Sequence, residues 1–179
     1  MLFSRLRLAV YKKDFLNGGD NMKILLLSDS HGNMNAVLTA LKKYGSNADI
    51  IVHCGDATRG EADELVELNP EKTVVCVSGN CDWGSMYKNV EYITVCGKKI
   101  MITHGHIYCA KYSLDALYEQ AVNEGCDLVF FGHTHNPTDE TIGNVRLINP
   151  GSCSRYDPTC ATVEIDDKGN VLVNHLKID

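Results

Sequence analysis

Apolar positions along this chain come in two rhythms, one of strands and one of helices. Residues 23–29 open on an almost unbroken apolar run, Ile24-Leu25-Leu26-Leu27, as a strand buried on both faces does. The run ends in a polar loop, Ser28-Asp29-Ser30-His31-Gly32-Asn33. Val37, Leu38 and Leu41 then recur at helical spacing and predict a helix over 35–44. Short apolar strands are predicted at 49–53 and 73–77, with a helix over 61–68 between them that Asn69-Pro70 stops. Residues 91–95 and 98–103 flank Cys96-Gly97 and predict a hairpin. A helix over 113–123 carries Leu114 and Leu117 inward, with Gly125 just past its end. Strands follow at 127–131, 145–148, 161–165 and 171–176, the last two joined by a turn at Asp167-Lys168-Gly169-Asn170. Alternating β and α units that give way to antiparallel strands predict an α/β fold, with residues 22–179 as its single domain.

Composition narrows the class. The 179 residues are 44% hydrophobic and 22% charged, which excludes a disordered or fibrous chain. A net charge of −6 with no basic block argues against a nucleic-acid platform. It leaves room for a small phosphate-bearing substrate, because a bound metal supplies positive charge locally. No apolar run approaches the roughly 18 residues of a membrane helix, so no membrane partner is expected. The eight cysteines contain no Cys-x-x-Cys pair, several lie inside apolar runs, and no secretory signal is evident. Free thiols and a cytoplasmic location are the expectation. Self-association as a homo-oligomer stays open.

Residues 1–21 differ from the rest. Arg5, Arg7, Lys12 and Lys13 against Asp14 and Asp20 give that stretch +2 and leave −8 for the remainder. Met22 opens the first clean strand. Two readings stand. Met22 is the natural start if the source is bacterial, because Gly18-Gly19-Asp20 can be encoded by a purine-rich ribosome-binding sequence. Alternatively, 1–21 is a genuine, partly helical N-terminal arm.

The chemistry lies at strand ends. Taken alone, each polar motif has an ordinary explanation: Asp29-Ser30-His31 as a turn with a helix cap, Gly55-Asp56 as a cap, Gly79-Asn80 as a turn. His104-Gly105-His106 and His133-Thr134-His135 are more pointed, since His-x-His sets both imidazoles on one side of an extended chain. Taken together, all of them stand where ligands gather in α/β sheets, outside the carboxyl ends of the strands. Asp29, His31, Asp56, Asn80, His104, His133 and His135 make seven candidate metal ligands. Seven are too many for one tetrahedral ion and suit two ions that share a carboxylate, ~3.5–4 Å apart. Two divalent ions and two aspartates leave a net positive pocket even after a hydroxide is added, and such a pocket favours a phosphate ester. A nitrogen and oxygen donor set suits Mn, Fe, Zn, Ni or Co.

Asp29-x-His31, Gly55-Asp56, Gly79-Asn80-Cys81-Asp82, Thr103-His104-Gly105-His106 and Gly132-His133-x-His135 resemble the calcineurin-like metallophosphoesterases, and most closely the small YfcE-type phosphodiesterases. The resemblance spans 22–179 and includes Asn149-Pro150-Gly151-Ser152. It implies a four-layer αββα sandwich of two mixed sheets flanked by helices. It also implies two divalent ions per chain, manganese foremost, one held by Asp29, His31, Asp56 and His135 and the other by Asp56, Asn80, His104 and His133. A hydroxide bridging the ions would attack a small phosphodiester, with Asp56, Asn80, Cys81 and His104 as the catalytic residues. Many relatives carry His after the metal-binding Asn. Cys81 stands there instead, either as a neutral thiol able to give up a proton or as a small filler.

The rival reading is a non-catalytic, protein-binding scaffold of the same fold, like the related retromer subunit. Retention of all seven ligand positions argues for the enzyme. A Ser/Thr protein phosphatase fits less well, because those relatives share only the metal motifs and are longer. Arg59 and Arg155 are candidate phosphate clamps or plain surface residues, His53 and His106 candidate partners of the ligands, and Trp83 lines the pocket or packs. His175 is expected at the surface.

Overall fold

The computed structural model describes residues 21–58, 60–154 and 156–179, together with the backbone of Asp14–Phe15, which forms the short strand β1. The readings of the N-terminal stretch as a start or an arm, and of Arg59 and Arg155 as clamps, lie outside the described residues. In β2 (Met22–Leu27), Ile24 and Leu26 point one way and Leu25 and Leu27 the other, and all four are buried. A strand alternates its faces, so an unbroken apolar run means that both faces are covered. β3 (Ile50–His53) and β4 (Thr73–Cys76) lie parallel beside β2, joined by the crossover helices α1 (Met34–Tyr44) and α2 (Glu61–Leu68).

The hairpin β5 (Val90–Val95) and β6 (Lys98–Thr103) starts the second half. Helix α3 (Asp115–Asn123) leads to β7 (Leu128–Phe130), parallel to β6. Then come β8 (Pro137–Ile142), β9 (Val145–Pro150), β10 (Thr159–Ile165) and β11 (Val171–Lys177). Two mixed sheets result: a six-stranded one in the order β1-β5-β6-β7-β9-β8 and a five-stranded one in the order β11-β10-β2-β3-β4.

Three cores stack the layers. Ile24, Leu26 and Val52 meet Ile100, Ile102 and Phe130 between the sheets. Leu25, Leu27 and Ile51 pack under Val37 and Ala40 of α1 and Leu65 of α2. Met101, Val129 and Leu147 pack under Leu117 and Ala121 of α3. Each fully buried Leu or Ile contributes about 1.5–3 kcal/mol. The architecture is the expected four-layer αββα sandwich. All eight cysteines are free thiols. Among the described residues no helix is long and apolar enough to cross a membrane.

Two elements depart from expectation. β8 has no apolar stripe in its sequence and is largely exposed, because it is an edge strand held through its backbone to β9. Pro137 takes its first position and Asp139 receives the Arg146 guanidinium fork at 2.6 and 2.7 Å. Helix α3 begins at Asp115, not 113, because Ser113 Oγ accepts the Asp115 N–H at 3.1 Å from outside the helix.

Candidate metal centre

The carboxyl ends of β2, β3 and β4 meet those of β6 and β7, and hydrogen bonds stitch the loops of the two sheets together. Asp29, fully buried, follows β2. Its N–H donates to Gly55 O at 3.0 Å, and the His31 N–H donates to Asp56 O at 3.1 Å. Its Oδ2 accepts from Ser28 Oγ at 2.6 Å and from the His133 N–H at 3.0 Å. Its Oδ1 is buried and receives no hydrogen bond, although His135 Nε2 lies 3.1 Å away and His31 Nε2 3.8 Å away.

Asp56 is held as tightly. Its N–H donates to Asp82 Oδ2 at 2.8 Å, the same oxygen that accepts the Gly79 N–H at 2.7 Å. Its Oδ1 accepts the Cys81 N–H at 2.7 Å. Oδ2 is left between two imidazoles, 3.4 Å from His104 Nε2 and 3.7 Å from His31 Nε2. A side chain at Gly79 would collide with Asp56 Oδ1, and one at Gly132 with Ser28 Oγ, so both loops approach each other only through glycine.

His104 is fully buried at the end of β6, and its Nδ1 donates to Cys54 O at 2.8 Å. That bond sets the tautomer and turns the Nε2 lone pair inward, 3.1 Å from Asn80 Oδ1. The His133 ring lies 5.0 Å from the His104 ring. His31 Nε2 and His135 Nε2 approach to 3.2 Å. All seven expected ligand residues therefore converge. Ligand atoms of Asp29, His31 and His135 lie within 4.8 Å of one another, as do those of Asp29, Asp56 and His104. Acceptor oxygens and imidazole nitrogens face each other with too few protons between them. A cation satisfies such a cluster, and the donor set suits a divalent metal.

The local electrostatics agree. Burial pushes the Asp56 carboxyl up, but the hydrogen bond and charge of His104 and the Cys81 N–H outweigh it, leaving the group below the ordinary carboxylate range. Asp29 ends lower in the same way through His135, His104 and Ser28. Burial pushes His104 down, and the two aspartates more than reverse it. Burial, with the neighbouring His104, lowers His133 to about 4.

One His-x-His pair does not share one side of an extended chain. His133 and His135 have φ of +68° and +60°, so the chain bends between them. His135 turns to Asp29 and His31, while His133 turns to His104. Gly105, at φ +96°, also bends the chain between His104 and His106, but those two rings stay neighbours, 5.4 Å apart. Asp29, His31 and Asp56 are also left-handed, at +53°, +48° and +55°. Such backbone costs of order 1–3 kcal/mol per residue and gathers at functional sites.

Cys81 Sγ lies within 4.8 Å of ligand atoms of His31 and Asp56 and accepts from Asn80 Nδ2 at 3.3 Å. Burial and the surrounding carboxylates, Asp56 first, push its thiol up to about 11, so it stays protonated at neutral pH. Trp83 neither packs nor lines the cluster closely, being 93% exposed. His175 is not a plain surface residue, because it is half-buried and donates to Asn149 O at 2.7 Å. Asn149 in turn gives Nδ2–H to Gly132 O at 2.8 Å and fixes the His133 loop. Ser28, Asp82 and Ser152 also escaped assignment. Ser152 Oγ donates to Asp29 O at 2.9 Å. The Asn149-Pro150-Gly151-Ser152 and Asn80-Cys81-Asp82 motifs were the available signals for two of these three, Ser152 and Asp82.

Two sheets back to back, with a His, Asp and Asn cluster on their shared edge, define the class of metal-dependent phosphoesterases. The family model described as calcineurin-like phosphoesterase superfamily domain matches residues 22–168, and the chain belongs to that superfamily. It is 35% identical over 132 residues to the probable metallophosphoesterase YsnB of Bacillus subtilis (strain 168), covering 73% of this chain and 75% of that protein. With phosphodiesterase YfcE of Escherichia coli (strain K12) it shares 29% over 154 residues, 74% of this chain and 80% of the other. A solved structure described as a novel archaeal phosphodiesterase matches with a TM-score of 0.69 at 25% identity, over 87% of this chain and 100% of that one. Vacuolar Protein Sorting 29 from Cryptosporidium parvum matches with a TM-score of 0.71 at 16% identity, over 88% of this chain and 98% of that one, a likeness of fold alone.

Proposed function

We propose that the protein hydrolyses a small phosphodiester at a dinuclear centre, with Asp29, His31, Asp56 and His135 holding one divalent ion and Asp56, Asn80, His104 and His133 the other. The observation that carries the reading is Asp56 Oδ2, set between His104 Nε2 at 3.4 Å and His31 Nε2 at 3.7 Å. A carboxylate oxygen shared by imidazoles from two loops suits a bridge. The oxygen and imidazole donor set suits Mn, Fe, Zn, Ni or Co, and the resemblance to the YfcE-type enzymes puts manganese first among them. Divalent ions, when bound, acidify a coordinated water and take up phosphate charge.

The chain's own residues do the rest. Ser28 and the His133 N–H occupy Asp29 Oδ2, which leaves Oδ1 for the cation. The Cys54 carbonyl orients His104. Cys81, protonated and beside Asp56, holds a proton at Sγ for the departing oxygen. A diester is favoured because a monoester dianion gains tight binding that does not raise turnover, and relatives named phosphodiesterase support the same choice. The likeness to Vacuolar Protein Sorting 29 keeps a protein-binding scaffold as the second reading. Metal analysis of purified protein, joined to rates on bis(p-nitrophenyl) phosphate and p-nitrophenyl phosphate with Mn, Ni, Co and Zn, separates the readings. Two ions per chain and diester preference are expected, and a chain that takes up metal yet cleaves neither ester favours the scaffold.

A further inference from the structure

Behind the metal cluster lies a second polar group that the proposed reaction does not use. His53 ends β3 on the helix side of its sheet, 1% exposed. Glu61, the first residue of α2, is 6% exposed. Between them sits Ser30, fully buried in the loop that carries His31. Burying a carboxylate is costly, and a surface position at a helix N-terminus would serve it as well. Hydrogen bonds to one of its two oxygens offset part of that cost, while Oε1 is buried without a partner.

Glu61 Oε2 accepts two of them, from Ser30 Oγ at 2.7 Å and from the Gly32 N–H at 3.0 Å. These donors are the immediate neighbours of His31 on either side. Ser30 Oγ also lies 3.2 Å from His53 Nε2. A serine hydroxyl has one proton, and here it goes to the carboxylate. His53 must therefore donate through Nε2–H, which makes a directed chain from imidazole to hydroxyl to carboxylate. Between the two clamped residues His31 holds φ of +48°, a conformation that a β-carbon disfavours.

We propose that Glu61 is a positioning residue for the metal centre: by gripping residues 30 and 32 through one carboxylate oxygen, it holds His31 in its left-handed conformation and aims the imidazole at Asp29 and Asp56. The proposal rests on the metal-centre reading above. It differs from a helix-capping role, because Glu61 bonds a loop from another strand and not its own helix. His53 completes the grip by filling the second valence of Ser30 Oγ.

The test is calorimetric titration of metal-free protein with Mn²⁺, with the thermal midpoint of the same metal-free samples alongside. Glu61→Ala loses both accepted bonds and is expected to weaken binding by about 10–100-fold, the range for groups that orient ligands. Glu61→Gln keeps an acceptor oxygen for both donors and is expected to stay within about threefold of wild type. Ser30→Ala removes one donor and is expected to lie between them. A merely structural Glu61 would lower the midpoint of the metal-free protein and leave Mn²⁺ affinity alone, which overturns the proposal. Glu61→Gln binding as weakly as Glu61→Ala overturns it too, because charge and not the grip would then matter. Where Glu61→Ala does not fold, wild-type affinity in folded Ser30→Ala overturns it. A wild type that takes up no ion overturns the metal-centre reading itself, and this proposal with it.

Discussion

The Nε2 atoms of His31 and His135 stand 3.2 Å apart, brought together across 104 residues of chain. A hydrogen bond between those nitrogens uses one proton, and Asp29 Oδ1 beside them receives none. The folded chain therefore presents a candidate cation site whose groups are already assembled. Metal should stabilise it by mass action, about 2.7 kcal/mol when free ion exceeds its Kd a hundredfold. Scanning calorimetry with excess Mn²⁺ and after chelation should show a clear drop in midpoint on metal removal, and coincident midpoints would contradict a preformed site.

Asp56 should be the most sensitive of the proposed ligand residues, since Asp56→Asn would take charge from both halves of the proposed dinuclear centre. Its loss of activity should exceed the roughly 10–100-fold typical of residues one step removed from a metal, and metal content should fall as well. Near-normal rates in Asp56→Asn, with His31→Ala inactive, would show that the carboxylate does not bridge.

Cys81 invites a leaving-group series. With its thiol pushed up to about 11, it is a weak but fully protonated acid at pH 7. Cys81→Ala should slow diesters with alkoxide leaving groups and spare nitrophenyl esters, whose anions depart without a proton. General acid help is typically ~10²–10⁴-fold, and a thiol should sit at or below the low end. Cys81→His should restore or exceed the original rate on poor leaving groups. Parallel lines against leaving-group pKa for all three proteins would reduce Cys81 to packing.

Gly132→Ala should damage site and fold together. Its methyl group would collide with Ser28 Oγ and crowd Asp29 Oδ2, so the loop must move. Overpacking of this kind costs about 1–3 kcal/mol. Denaturant unfolding of the metal-free variant reads the stability, and Mn²⁺ titration reads the displaced carboxylate. Unchanged values in both would mean that the loops tolerate separation.

His53 should make stability depend on pH. Burial lowers it to about 4 in the folded chain, against an unfolded value near 6.5. Below 6.5 the unfolded state binds the extra proton, so stability falls as pH drops from 6.5 to 4 and is flat above. The contribution is at most about 3 kcal/mol. Urea unfolding of metal-free wild type and His53→Gln at several pH values isolates it, since the variant should lose that part of the slope. Identical slopes would place a charged His53 in the folded chain.

What was legible in the sequence follows from local physics. Ile24-Leu25-Leu26-Leu27 declares a doubly covered strand because side chains alternate regardless of what covers them, and the polar residues just past each such run mark the sheet edge. Residue types alone also specify the donor chemistry, down to the neutral thiol at Cys81. Strand β8 was not legible, because an edge strand held by backbone bonds to β9 needs no apolar stripe. Nor was the parting of His133 and His135. Their backbone bends because the His133 N–H reaches Asp29 Oδ2 from the opposite sheet, a bond that exists only once both sheets have closed. The same holds for Glu61, whose sequence position reads as a helix start and whose partners, Ser30 and Gly32, lie on a loop about 30 residues away that only tertiary packing brings to it.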